Sequence, residues 1–204
     1  MGARKIAGLI IAAGMLISCL TPFSALAETG GDDSGSAGDE SVLIIGKEPV
    51  PDDESLWYTA KNPMKKEHQK LLWDYCRQRN LDYVDMLALI YVESNFSEKC
   101  STSQYKGYFQ ISTGHGPNLS NALNTENKPL DGAININWGT AMYGWILADG
   151  RLKDLTGKAK RDAALSIYQR GSGGYDKYGL STSYLKKYYA KWDIVCSWFG
   201  LTKP

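Results

Sequence analysis

Seven apolar residues in a row, Met86 to Val92, are followed by one acid, Glu93, and a polar pair, Ser94-Asn95. An apolar run that dense predicts a helix buried on all sides. The polar residues from Asn95 onward predict its end. Other stretches show one apolar face each. Leu72, Tyr75, Cys76 and Arg79 mark a helix that Asn62-Pro63 would cap and open, ending near Asn80. Ile134, Trp138, Ala141-Met142 and Trp145 recur at helical spacing up to Gly150. Residues 161–170 predict a short helix stopped by Gly171, and Leu185, Tyr188, Trp192, Val195 and Phe199 a last one closed by Gly200. Residues 101–131, rich in Ser, Asn, Gly and Thr, read as irregular loops around Gly107-Tyr108-Phe109-Gln110. The expected fold class is mainly α, with no repeat and no convincing sheet. About 150 residues suffice for one core.

The first 55 residues lack this periodicity. Residues 1–27 have a basic start at Arg4-Lys5, an apolar stretch from Ile6 to Leu20, and a small-x-small site at Ala25-Leu26-Ala27, as a cleaved signal peptide does. Leu16-Ile17-Ser18-Cys19 offers a second reading, a lipoprotein box with Cys19 acylated. Either predicts export, and only the second predicts membrane attachment. Residues 28–55 form an acidic, Gly/Ser-rich linker with a short apolar island at Val42–Ile45. The island is either a strand that docks on the domain or a sticky patch in a tail. Order is expected from near Trp57, giving one domain over residues 56–204.

Charge follows the same boundary. Residues 28–55 carry nine acids and one lysine, and residues 56–204 carry 20 Lys and Arg against 13 Asp and Glu. The net charge of +1 conceals that split. A basic domain on an acidic tether suits a polyanionic cell wall, and equally an ordinary lysine-rich surface. No nucleic-acid motif accompanies the charge. His68 and His115 stand far apart, so no zinc spacing is present. Beyond Cys19 the cysteines are Cys76, Cys100 and Cys196. They allow three pairings, or three free thiols acting as small hydrophobes. Cys76 and Cys196 fall on apolar faces of the first and last predicted helices, so a bridge pinning those helices together is one of the three.

Glu93 is the candidate for chemistry. At the negative end of a buried helix its ionised form is disfavoured twice, by the dipole and by desolvation. That raises its pKa and keeps a general acid protonated near neutral pH. The competing expectation is an ordinary helix-end acid, solvated or paired with Lys99 or Lys106. Gln110, a lone amide behind Gly107 in an apolar stretch, needs a hydrogen-bonding partner. Asp131, Asp149 and Asp176 are the candidates for a second carboxylate, and each reads as a loop or turn acid.

These residues form a pattern. Glu93-Ser94-x-Phe96 followed by Gly107-x-x-Gln110-Ile111 resembles the soluble lytic transglycosylase domain of the lysozyme-like superfamily. Asn135-Ile136-Asn137-Trp138-Gly139 and Ala164-Leu165-Ser166-Ile167-Tyr168-Gln169-Arg170-Gly171 resemble two further motifs of that family, in the same order. The resemblance spans roughly residues 60 to 195. It implies a lysozyme-like helical domain that can carry a small hairpin. The implied activity is cleavage of peptidoglycan strands between N-acetylmuramic acid and N-acetylglucosamine, leaving 1,6-anhydro ends, with no cofactor and no metal. Glu93 would be acid and then base. Ser94, Gln110, Tyr168 and Gln169 would contact substrate, Tyr168 facing Glu93 across the groove, and Asn135 would cap a helix. Each has a structural alternative: a helix-end hydroxyl for Ser94, a turn brace for Gln110, a core aromatic for Tyr168. The chain departs from the family at Tyr108-Phe109, where Leu-Met is usual, and at Gln169, where asparagine is usual. Goose-type lysozymes share the fold and the glutamate, so a water-using hydrolase is the nearest alternative. A wall-binding or secretion or conjugation machinery protein without turnover is another. The implied partners are glycan strands and, in that last case, cell-envelope machinery.

Overall fold

The computed structural model describes residues 53–201. The signal segment, Cys19, the Val42–Ile45 island and most of the acidic linker lie outside them. The described part is mainly α-helical, as expected. A 3-10 turn at Glu54–Leu56 leads to helices α1 (Lys66–Gln78), α2 (Tyr83–Ser94), α3 (Gly116–Ala122), α4 (Gly132–Leu147), α5 (Gly157–Tyr178) and α6 (Thr182–Trp198). Between α2 and α3 sits a two-stranded antiparallel hairpin, β1 (Tyr105–Lys106) and β2 (Ile111–Ser112), with Tyr105 opposite Ser112 and Lys106 opposite Ile111. Among the described residues no helix is long and apolar enough to cross a membrane.

Helix α2 is the axis. Met86, Leu87, Ala88, Leu89 and Ile90 are each 0% exposed, so consecutive positions are buried and no face is left for water. Asp82 opens it by accepting from the Asp85 backbone N–H at 2.8 Å. Asn95 closes it in the left-handed region, φ 52°, as the polar break in the sequence predicts. Phe96 also has positive φ, at 61°, which is rare for a bulky residue. The strain is offset by burial, since the ring packs against Tyr91 and Trp198. The main packing partners are α6 against α2, and α1 against α4 and α2.

Several expectations are corrected. Asn62-Pro63 does not begin α1. The Asn62 side chain instead accepts from the Met64 N–H at 3.0 Å, closing a local turn, and the helix starts at Lys66. Residues 116–122, expected to be loop, form α3, with Pro117 in its first turn. Helix α5 begins at Gly157 and runs past Gly171 to Tyr178. Gly171 does break it, with φ 75° and ψ 164°, but the chain turns helical again beyond. Of the readings open for the cysteines, the free thiols hold among the described residues: Cys76, Cys100 and Cys196 are unbridged. Cys76 is buried in α1, which leans on α4, and burial pushes its thiol well above the usual range, so it is an inert hydrophobe.

Asn135 is not a cap either. Asp131 caps α4 by accepting from the Ile134 N–H at 3.0 Å. Asn135 is fully buried one turn inside the helix. Its Oδ1 accepts from the Phe109 N–H at 2.9 Å, and its Nδ2 donates to the Lys106 and Pro129 carbonyls at 3.0 and 2.8 Å. One amide therefore brackets the hairpin turn to α4 and to the loop before it. Gly107 makes room for it: a Cβ there would lie 2.3 Å from Asn135 Nδ2. Asn135→Ala strands three backbone groups, each worth about 1–3 kcal/mol when buried without a partner. We expect it to lower stability by at least about 2 kcal/mol in urea unfolding. A loss below about 0.5 kcal/mol, within the range of a neutral surface change, would contradict the bracket.

Candidate active site

Glu93 stands in the last turn of α2. The residue as a whole is half-buried, while its carboxyl group lies among protein atoms. Tyr184, in the first turn of α6, donates its hydroxyl to Glu93 Oε1. Burial pushes the Glu93 carboxyl up to about 7, and the Tyr184 hydrogen bond acts in the opposite direction with smaller effect. Neither lysine that could have paired with it does so. Lys99 reaches Glu98 at 3.1 Å and the Leu130 carbonyl at 2.9 Å, and Lys106 reaches Ser101 Oγ at 2.7 Å. No other carboxylate acts on Glu93 among the described residues.

The sequence places Asp131, Asp149 and Asp176 as loop or turn acids, and the structure gives each a structural job. Asp131 caps α4. Asp149 accepts from the Arg151 backbone N–H at 2.9 Å and pairs with its guanidinium at 2.8 Å, which also holds Asp176. Asp85 is a buried acid that sequence reasoning missed. It differs from Glu93 in having a counter-charge: Arg161 Nε at 2.7 Å, with Trp192 Nε1 at 2.8 Å and Tyr188 OH at 3.1 Å. That cluster ties α5 and α6 to α2. Glu93 is the buried acid whose described partner is neutral.

Tyrosines surround it. The Tyr168 hydroxyl donates to the Phe109 carbonyl at 2.6 Å, and the negative charge of Glu93 pushes that phenol further up than burial alone does. Tyr143 on α4 is buried, with its ring centroid 6.3 Å from that of Tyr168. Glu93, Tyr168 and Tyr184 are thus brought together from α2, α5 and α6. Tyr184 is the residue that sequence reasoning missed. It stands 91 positions from Glu93 and reads in the chain as one more aromatic of the last helix.

The remaining candidates have internal duties. Ser94 Oγ donates back along α2 to the Ile90 carbonyl at 3.1 Å. Gln110, at φ 46°, donates its amide to the Cys100 and Gly107 carbonyls at 3.1 and 2.8 Å, bracing the hairpin turn. Its Oε1 takes no hydrogen bond among the described residues. Gln169 is exposed and accepts from Ser181 Oγ at 2.9 Å, at the start of α6 three residues before Tyr184. It fixes the entry of the helix that carries Tyr184. His115 is half-buried at the end of the 3-10 turn Thr113–His115, and burial lowers its pKa. Among the described residues no group of three His, Cys, Asp or Glu could hold a metal ion.

The raised carboxyl has a stability consequence. Below its unfolded value of 4.5 Glu93 is neutral in both states. As pH rises toward 7 the unfolded chain ionises first, so the folded state loses ground until its own carboxyl ionises. A glutamine has no such loss. Glu93→Gln should therefore gain on the wild type between pH 5 and pH 8, by roughly 2 kcal/mol, at about 1.4 kcal/mol per pKa unit. Urea unfolding of both proteins at the two pH values measures it, and a pH-independent difference would contradict the burial of this group. No family model matches the chain and no curated protein matches it, so the residues and their geometry carry any functional reading.

Proposed function

We propose that this chain is an exported lytic transglycosylase of peptidoglycan, acting in the cell wall or outside the cell. The observation that carries the reading is a single carboxyl held near pH 7, with one oxygen pinned by Tyr184 and no second carboxylate acting on it. Glycoside hydrolysis ordinarily uses two carboxyl groups, one to protonate the leaving oxygen and one to attack or to activate water. One group that must serve first as acid and then as base works best with a pKa near the operating pH.

On this reading the steps fall on particular atoms. Tyr184 donates to Oε1, which leaves Oε2 to carry the transferable proton. Oε2 gives it to the bridging oxygen between N-acetylmuramic acid and N-acetylglucosamine as the C1–O bond breaks. The ionised Oε2 then takes a proton from the muramyl 6-hydroxyl as that oxygen bonds to C1. The products are a 1,6-anhydro end and a free 4-hydroxyl, Glu93 is protonated again, and no water is consumed. Tyr168, tied to Phe109 of the hairpin turn, braces the wall beside Glu93. Gln110 Oε1 and the Ser94 hydroxyl oxygen accept no hydrogen bond among the described residues, and this reading assigns them to sugar hydroxyls.

Glu93→Gln keeps the shape and the Tyr184 hydrogen bond but has no proton to give. It should fold, bind glycan strands and lose at least about a hundredfold in turnover. For the wild type, kcat/KM should fall above pH 7, with one proton lost, as the acid ionises. Mass spectrometry of the digested strands separates the readings. Anhydro ends support the transglycosylase, reducing ends mean a lysozyme-type hydrolase, and intact strands mean a binding or machinery role.

A further inference from the structure

Four tyrosines from three helices gather beside α2: Tyr143 from α4, Tyr168 from α5, and Tyr184 and Tyr188 from α6. Three of the four hydroxyls have a taker for their proton. Tyr168 donates to the Phe109 carbonyl at 2.6 Å, Tyr184 to Glu93 Oε1, and Tyr188 to Asp85 Oδ1 at 3.1 Å. The fourth has none. Tyr143 is 3% exposed, and its hydroxyl makes no hydrogen bond among the described residues. A buried tyrosine hydroxyl ordinarily finds a partner.

The surroundings of that hydroxyl show what the partner is. Among the described residues, the side-chain atoms both sealed from water and unbonded are Trp57 Nε1 and Asn62 Nδ2. The Tyr143 oxygen is unbonded and is not one of them, so it borders space that water reaches. Its ring lies 6.3 Å from that of Tyr168. Tyr184 and Tyr188 feel it too. Burial pushes both phenols up, Glu93, Tyr168 and Tyr143 add to this at Tyr184, and Asp85 and Tyr143 add to it at Tyr188. Each of those two hydroxyls donates to a carboxyl group and accepts nothing among the described residues. Tyr143 thus has a proton to give, next to two oxygens that lack one, and none of the three bonds another directly. One water answers all three, accepting once and donating twice, and about three hydrogen bonds are usual for a buried water.

We propose that a buried water accepts from Tyr143 and donates to Tyr184 and Tyr188, which makes Tyr143 a positioning residue for the Glu93 proton. The proposal rests on the reading of Glu93 as an acid and adds how its ionisation is regulated. A phenol whose oxygen accepts a hydrogen bond donates its own proton more strongly. The water therefore strengthens the bond from Tyr184 to Glu93 and favours the ionised carboxylate against its burial. The groups that act on Glu93 and Tyr184 are the phenols Tyr168 and Tyr143. Those that act on Tyr143 are Asp85 and Asp82 at the start of α2, Arg161 of α5 and Tyr189 of α6. Asp85 and Arg161 pair at 2.7 Å, so their charges largely cancel at Tyr143.

The test is a carboxyl NMR titration of Glu93 in the full chain, in the wild type, Tyr143→Phe, Tyr184→Phe and the double variant. Tyr143→Phe removes one unbonded oxygen and keeps the ring, so it should fold. It should raise the Glu93 midpoint by roughly 0.3 pH unit, about twofold in the ionisation constant, because one bond in such a chain strengthens the next by about 10–30%. The alkaline fall of kcat/KM should move up by the same amount. In the Tyr184→Phe background Tyr143→Phe should add nothing, since the relay is already cut. In the wild type itself, the Tyr143 ring protons should show cross-relaxation with a long-lived water. An unmoved midpoint, an equal rise in both backgrounds, or no long-lived water at Tyr143 would overturn the proposal. None of these readouts needs substrate except the rate profile. A wild type that cuts no strand would sink the transglycosylase reading, and the midpoints would still decide the role of Tyr143.

Discussion

Everything in the described structure answers to the need to hide α2. A helix with Met86, Leu87, Ala88, Leu89 and Ile90 all out of contact with water cannot rest on one neighbour. It must be enclosed, and α6 and α1 supply its closest walls. Burying those side chains drives the assembly, at about 1.5–3 kcal/mol for each large one. The enclosure ends where the apolar run ends. The last turn of α2 lies at the margin of the core, so Glu93 emerges with its carboxyl still desolvated and one edge of the residue open to solvent. The chemistry proposed for Glu93 follows from where the core stops.

The two acids of α2 show how environment divides one residue chemistry into two roles. Asp85 sits near the start of the helix with Arg161, Trp192 and Tyr188 around it. Its charge is matched, and its contacts lock three helices together. Glu93 has a neutral tyrosine and no cation. Burial raises both carboxyl groups, but a guanidinium and two hydrogen-bond donors act against it at Asp85, and only a tyrosine hydroxyl does so at Glu93. Asn135 plays the matching part for the backbone. It fixes the hairpin turn whose Phe109 carbonyl holds Tyr168, so the wall of the site is braced from α4.

The legible parts of this fold were the local ones. The stop of α2 at Asn95 depends on its own φ, and the dense apolar run before it announces burial without knowledge of the partners. The pull on Glu93 followed from those two facts. What was not legible depends on contacts between distant positions. Nothing near Tyr184 marks it as the partner of Glu93, because its role exists only once α6 crosses the end of α2. Asn135 reads as a helix-start residue, yet its amide spends itself on groups 6, 26 and 29 residues away. Composition misled at α3, where Gly116-Pro117-Asn118 resembles a loop but opens a helix, and at α5, where four residues from Gly171 hide a helix that resumes. Gln110 was singled out correctly as an amide in need of partners. Those it has among the described residues are the Cys100 and Gly107 carbonyls of its own turn.

The central claim is that Glu93 is half protonated near neutral pH because α2 carries it to the edge of a sealed core. Carbon-13 NMR of glutamate carboxyl groups, with Glu93→Gln to assign the resonance, reads that directly. The account predicts a midpoint near 7, moved higher in Tyr184→Phe because the hydroxyl that favours the charged form is gone. A midpoint near 4.5, the value of a solvated glutamate, would contradict it.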